Sequence, residues 1–430
     1  MEPAALLPRS GMFRTGRQAM RRTVNMGPFK DMVSELTDRY VALWSESPSI
    51  LPGHLRRFSP AGKAEKEREV ELLIEKSLPR MDRYEEMEEA ERARLLGRAH
   101  TSLGKLMTGD GDPAVNRFFT ECESAGKLFV RRAREFDPSL SDDDIHQALR
   151  NQWVFNSIQS YFGRRVTLTS SSLGYSLMYP YTDNWLDGDA HTPGEKHSFN
   201  RSLTLWLEGD PEAGKGSDDP GFPKLLRMIE QEYPRERFPA VYESLLAIHR
   251  AQQRSLILHG PVEARAESFL QSLTIEKGGT SVAVDGYLVS GTLGAESLHA
   301  LFGYGVVLQL IDDLQDLPED TASGHSTMFT RICRDSSLDD ATGRLIRFTC
   351  DTIRLLGDRA PGGGTPLSAL IEGSCMFLIL EAVARYRHLY SGAFLRTLEE
   401  FSPLRFSYLG GLHDRVRTNL SAREHVLFPA

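Results

Sequence analysis

Cysteine is scarce, and what there is forms no pattern. The four residues Cys122, Cys333, Cys350 and Cys375 include no C-x-x-C pair and show no zinc-ligand spacing with histidine. This excludes a disulfide scaffold and a zinc-finger-like framework, and predicts buried free thiols in a reducing cytoplasm. Long apolar runs are lacking too. The longest, Leu301 to Ile311, is interrupted by Gly303, Gly305 and Gln309 and is too short to span a bilayer, so no transmembrane segment is expected. Basic charge is not in excess: the formal net charge of -8 argues against nucleic acid as a partner. Alternating strand patterns, a glycine-rich phosphate loop and internal repeats are all missing.

What remains is the composition of an ordinary globular chain, 40% hydrophobic and 26% charged, with helical periodicity almost throughout. "DMVSELTDRYVALW" sets Met32, Leu36, Tyr40 and Leu43 on one face. "EKEREVELLIEKSLPRMDRYEEMEEAERARLL" has a helix-forming composition, with a break expected at Pro79. Gly/Pro/Asp-rich stretches at 208–223 and 358–366 read as connections inside one all-α body. Residues 1–30 hold six basic groups (Arg9, Arg14, Arg17, Arg21, Arg22, Lys30) against Glu2 alone. They are expected to form a flexible basic tail that allows transient membrane-surface contact. A helical segment over 31–110 is expected to pack on a catalytic region spanning 111–430.

Two acidic clusters stand out. In "LQLIDDLQDLPED", Asp312 and Asp316 are four apart, Asp313 and Asp316 three apart, and Gln309 lies one turn before Asp313. Three carboxylates near a helix C-terminus oppose both one another and the helix dipole, each at about 0.2–1 kcal/mol. A bound divalent cation reverses that sign, and magnesium takes oxygen ligands from one or two carboxylates plus phosphate. The preceding "LFGYGVVLQLI" is apolar on nearly every side, so the cluster is expected at the mouth of a cavity. A second cluster, Asp183, Asn184 and Asp187 in "YTDNWLD", likewise follows an apolar, aromatic segment. Its spacing does not fit an EF-hand. Two such clusters facing each other across a bundle suit a diphosphate. Lys277 is the candidate cation beside them, and Tyr179, with Tyr175 and Trp185, a candidate lining residue.

This constellation resembles the class I isoprenoid synthase superfamily, in its trans-prenyltransferase-like branch. Gln309, Asp312, Asp313 and Asp316 match the motif Q-x-x-D-D-x-x-D, and Asp183, Asn184 and Asp187 approximate the first D-D-x-x-D motif. The resemblance spans roughly 120–400, but its specific part lies in these two regions. It implies an all-α, isoprenoid-synthase-like helical bundle around a deep apolar cavity. It also implies several Mg²⁺ ions, with Mn²⁺ as the substitute, a prenyl diphosphate substrate, and the homodimer common in the superfamily. The departures are Asn184 within the first motif, His325 where elongating enzymes carry lysine, and no basic site for isopentenyl diphosphate. "DGDAHTPGEKHSFNR" offers only Lys196 and Arg201. Sequences of the bacterial large terpene synthase type, such as tetraprenyl-β-curcumene synthases, share this mixture. The expected activity is therefore that of a class I terpene synthase, a carbon–oxygen lyase that ionises one prenyl diphosphate and yields a cyclic terpene. The alternatives are a trans-prenyltransferase that elongates or condenses prenyl diphosphates, and a non-catalytic helical scaffold whose acidic clusters hold structural cations.

Overall fold

A computed structural model describes residues 27–81, 87, 89–109, 112–187, 192–210, 221–255, 267–361 and 365–421. Among these residues the chain is helical throughout and no strand forms. The helices are α1 (Gly27–Glu46), α2 (Pro60–Met81), α3 (Glu89–Thr108), α4 (Pro113–Phe136), α5 (Asp142–Tyr161), α6 (Ser170–Asp187), α7 (Pro193–Glu208), α8 (Gly221–Glu232) and α9 (Pro239–Ser255). There follow α10 (Glu267–Ser290), α11 (Ala295–Gln315), α12 (Leu317–Ser323), α13 (Met328–Asp335), α14 (Asp339–Asp358), α15 (Thr365–Arg385), α16 (Gly392–Glu399) and α17 (Phe406–Ser421). The expected basic tail lies almost wholly outside the described residues, and α1 begins at Gly27.

Local chemistry sets many of the boundaries. Ser141 with Asp144 and Thr192 with Glu195 form capping boxes at the starts of α5 and α7. Asp112 caps α4 ahead of Pro113. Gly209 ends α7 in the left-handed region, φ 74°. One proline expectation needs correction. α2 continues through Pro79 to Met81. The helix that carries the acidic cluster does end just ahead of Pro318: α11 stops at Gln315, and Pro318 lies in the first turn of the short α12. The first turn of a helix tolerates proline because its N–H groups lack partners anyway.

α10 and α11 form the most extensive helix pair. They run antiparallel through the short connection 291–294 and cross closely because glycine faces glycine: a Cβ on Gly305 would lie 2.1 Å from the Gly278 carbonyl oxygen. α1 packs across this pair. Its Tyr40 donates to the His299 carbonyl at 2.9 Å and stacks on Phe302. α14 and α15 cover the other face of α11. α5 and α6 pack together, with α5 also against α10. Residues 366–385 of α15 are long and apolar enough to cross a membrane, but this helix is packed against α14, α17, α11 and α3, as a core helix is.

Candidate functional site

Helix direction brings the two acidic clusters to one end of the bundle. Along α10, Gly278 meets Gln309 and Gly305 of α11, and Gly286 meets Leu301. Lys277, near the middle of α10, therefore lies level with Gln309 in the last third of α11. α6 runs the same way as α11. Its start reaches the far end of α10, where Ser171 Oγ donates to the Leu288 carbonyl at 3.5 Å. Midway, Asn151 of α5 donates both to Ser176 Oγ of α6 (3.1 Å) and to Asp285 of α10 (3.3 Å). The last turn of α6, carrying Asp183, Asn184 and Asp187, consequently ends at the same pole as Lys277 and Gln309. The side chains of Asp183, Asn184 and Asp187 lie outside the described residues.

The second cluster is fully described. Gln309 Nε2 donates to Asp313 Oδ1 at 2.8 Å, one helical turn apart as its spacing predicts. The other Asp313 oxygen is buried without a hydrogen-bond partner. Asp313 is only 6% exposed, and burial pushes its carboxyl up to about 7. The Gln309 hydrogen bond and the Lys277 ammonium hold it down, while the Asp312 charge raises it further. Asp316 caps the end of α11 and also opens α12. The negative pole of one helix and the positive pole of the next meet there, which softens the clash with the dipole expected from the sequence. Desolvation and the Asp312 charge push Asp316 up to about 6, an effect that solvent moderates because the side chain is exposed. Asp312 meets a cation: Arg150 Nη2 of α5 donates to its Oδ1 at 2.6 Å. Both partners are well exposed, so the pair is worth no more than about 1 kcal/mol and is easily exchanged.

The three carboxylates offer only oxygen donors, the kind a hard divalent cation takes, and one buried Asp313 oxygen is unpartnered, but oxygens of Asp312, Asp313 and Asp316 do not all come within 4.8 Å of one another.

Tyr179 donates to or accepts from Tyr175 at 3.0 Å. The two line a narrow cavity of ≈ 40 Å³ with Met178, Leu203, Phe222 and His249. Thr182, another lining residue, immediately precedes Asp183 in the chain. Its volume holds about one or two waters, against about 300–1,000 Å³ for a ligand pocket. The deep cavity expected from the sequence is not open at this place. Arg201 is exposed on α7, and among the described residues no hydrogen bond or ion pair joins it to the α11 carboxylates. His325 donates to or accepts from Asp320 at 3.0 Å, so it closes the α12 turn.

Sequence reasoning missed three residues here: Arg150, Asn151 and Asp285. Asp285 is 1% exposed, and burial pushes its carboxyl well above the usual carboxylate range. It lies eight residues past Lys277, about 12 Å further along α10. None of the three stands in a recognisable local motif; only the packing of α5 against α6 and α10 joins them. Compared with family models, curated proteins and solved structures, the chain matches none.

Proposed function

We propose that the protein is a terpene synthase that ionises a single prenyl diphosphate and converts the allylic cation to a cyclic terpene. The observation that carries this reading is the arrival of two acidic helix ends and Lys277 at one pole of an apolar bundle. Asp312, Asp313 and Asp316, with Asp183, Asn184 and Asp187 opposite, would hold Mg²⁺. Bound there, Mg²⁺ supplies charge neutralisation for the departing diphosphate.

The chain's own groups have separable roles in this reading. Lys277 pairs with a diphosphate oxygen and offsets the local carboxylate charge. Gln309 fixes the orientation of Asp313 by its hydrogen bond. Arg150 holds Asp312 until an exchange of partners frees the carboxylate and leaves the guanidinium to face phosphate. Tyr175, Tyr179 and the apolar side chains beneath them exclude water and offer ring faces to a cation. Substrate binding then requires the narrow cavity under α6 to widen.

The test is incubation of the full chain with geranyl, farnesyl, geranylgeranyl and longer diphosphates and Mg²⁺, with and without isopentenyl diphosphate. Expected are inorganic diphosphate and a hydrocarbon or alcohol from one substrate alone. Rates should fall by about 100-fold or more in Asp312→Asn and Asp316→Asn. Longer prenyl diphosphates appearing only with isopentenyl diphosphate would replace this reading with chain elongation. No turnover of any substrate would sink both.

A further inference from the structure

A separate group of side chains has a different donor chemistry. His54 lies in the connection 47–59 between α1 and α2, Cys350 on α14 and Glu372 on α15. One ligand atom from each, nitrogen, sulfur and oxygen, lies within 4.8 Å of the others. His54 Nε2 is 4.0 Å from Glu372 Oε1. We infer that His54, Cys350 and Glu372 form a zinc site that pins the α1–α2 connection to the bundle.

The donor set is that of zinc. Imidazole, thiolate and carboxylate are zinc's ligands, whereas magnesium and calcium take oxygen alone. Tetrahedral zinc at ordinary bond lengths sets ligand atoms about 3.4–3.6 Å apart. The observed separations close to that by little more than about 1 Å at most, within reach of side-chain rotation.

The surrounding segments also preorganise the three ligands. The connection that carries His54 is held from several directions. The Ser49 carbonyl sits so close to Gly343 that a Cβ there would lie 2.2 Å from it. Trp44 meets Phe348 edge-on, ring centroids 5.6 Å apart. The Phe58 N–H donates to the Glu400 carbonyl at 2.8 Å. Gly343 and Cys350 are seven apart on α14, so the face that receives the connection also presents the thiol two turns later. Cys350 is fully buried, and Glu372 is hydrogen-bonded to its thiol. On binding, a sulfur–zinc bond forms as the thiol proton leaves to solvent, and no electrons are transferred. Three protein ligands leave a fourth position, and the His54 side chain, 47% exposed, leaves it open to water. The site is distinct from the α11 carboxylates. Glu372 lies nine residues, about 13 Å, along α15 from Glu381, which faces Gln315.

The test uses the full chain stripped with a chelator and titrated with Zn²⁺, and in parallel with Co²⁺. Expected are one equivalent retained after desalting and a thiolate-to-cobalt charge-transfer band in the near ultraviolet. Zn²⁺ should also raise the unfolding temperature in a concentration-dependent way. Cys350→Ser should abolish the band. His54→Ala, at an exposed position that does not threaten folding, should weaken Zn²⁺ binding by more than about 100-fold. Asp312→Asn should leave it unchanged. Zinc held as tightly by His54→Ala as by the parent, a cobalt complex without the band, or binding lost in Asp312→Asn would each overturn the site. In those cases the three side chains form only an ion pair and a thiol hydrogen bond.

Discussion

At the residue scale, burial decides which carboxylates hold protons. Asp313 sits under Gln309 and loses water, so its folded pKa of about 7 lies far above the ordinary value of 3.8. The folded state therefore binds this proton more tightly than the unfolded one. The contribution to stability is complete below about pH 4 and is lost as pH rises through about 7. A divalent cation competes with that proton. Millimolar Mg²⁺ should therefore raise the unfolding temperature more at about pH 8 than at about pH 5.5. Asp313→Asn should flatten the difference. An equal rise at both pH values would show that the cation binds elsewhere.

His249 shows the opposite sign. Its imidazole bonds Thr204 Oγ1 at 2.9 Å and Gln253 Nε2 at 3.0 Å, and burial pushes it down to about 4. Stability from the neutral ring is present above about pH 6.5 and is lost as pH falls toward 4. The loss between about pH 7 and pH 5 is about 2 kcal/mol for this residue. Urea unfolding at the two pH values should show that gap narrowing by about this amount in His249→Gln. An unchanged gap would mean that the ring is hydrated.

At the scale of elements, the α10–α11 pair shows why identical substitutions differ in sign. Gly305→Ala places a methyl group against the Gly278 carbonyl oxygen, which is backbone and cannot turn away. Overpacking of this kind costs about 1–3 kcal/mol and separates the helices that carry Lys277 and the α11 carboxylates. Gly97→Ala in α3 meets nothing within 4 Å and should stabilise by about 0.5–1 kcal/mol through helix propensity alone. Thermal unfolding of the two variants should move in opposite directions. A stabilised Gly305→Ala would mean that the helices cross less closely.

Spacing along α11 made part of this legible in advance. The Gln309–Asp313 bond follows from a separation of four residues, and the buried apolar faces of α11 follow from its unbroken hydrophobic pattern. The turn into α12 did not follow. Pro318 reads equally well as the end of one helix or the first turn of another, and only the course of the chain after Asp316 separates the two. At Pro79 neither holds, because α2 continues two residues further, to Met81.

For the whole molecule, the informative feature is direction. α6 and α11 are over a hundred residues apart in sequence, yet both run antiparallel to α10 and end at one pole. Nothing local to either helix states this; hydrogen bonds from Asn151, and from Ser171 to Leu288, hold the registry. Asp285 and Arg150 were invisible for the same reason, since each matters only through a partner on another helix. The zinc ligands His54, Cys350 and Glu372 show the limit most plainly. Cysteine spacing excludes a zinc-finger-like framework only for ligands close in sequence. His54 lies some 300 residues before Cys350 and Glu372 in the chain.

Periodicity, capping residues and turn composition act within a few residues, so the all-helical character, the positions of the connections and the two acidic helix ends were determined by the sequence by itself. Which helix ends share a pole, which carboxylates lose water and which distant donors meet depend on packing between segments far apart in the chain, and the tertiary structure alone decided them.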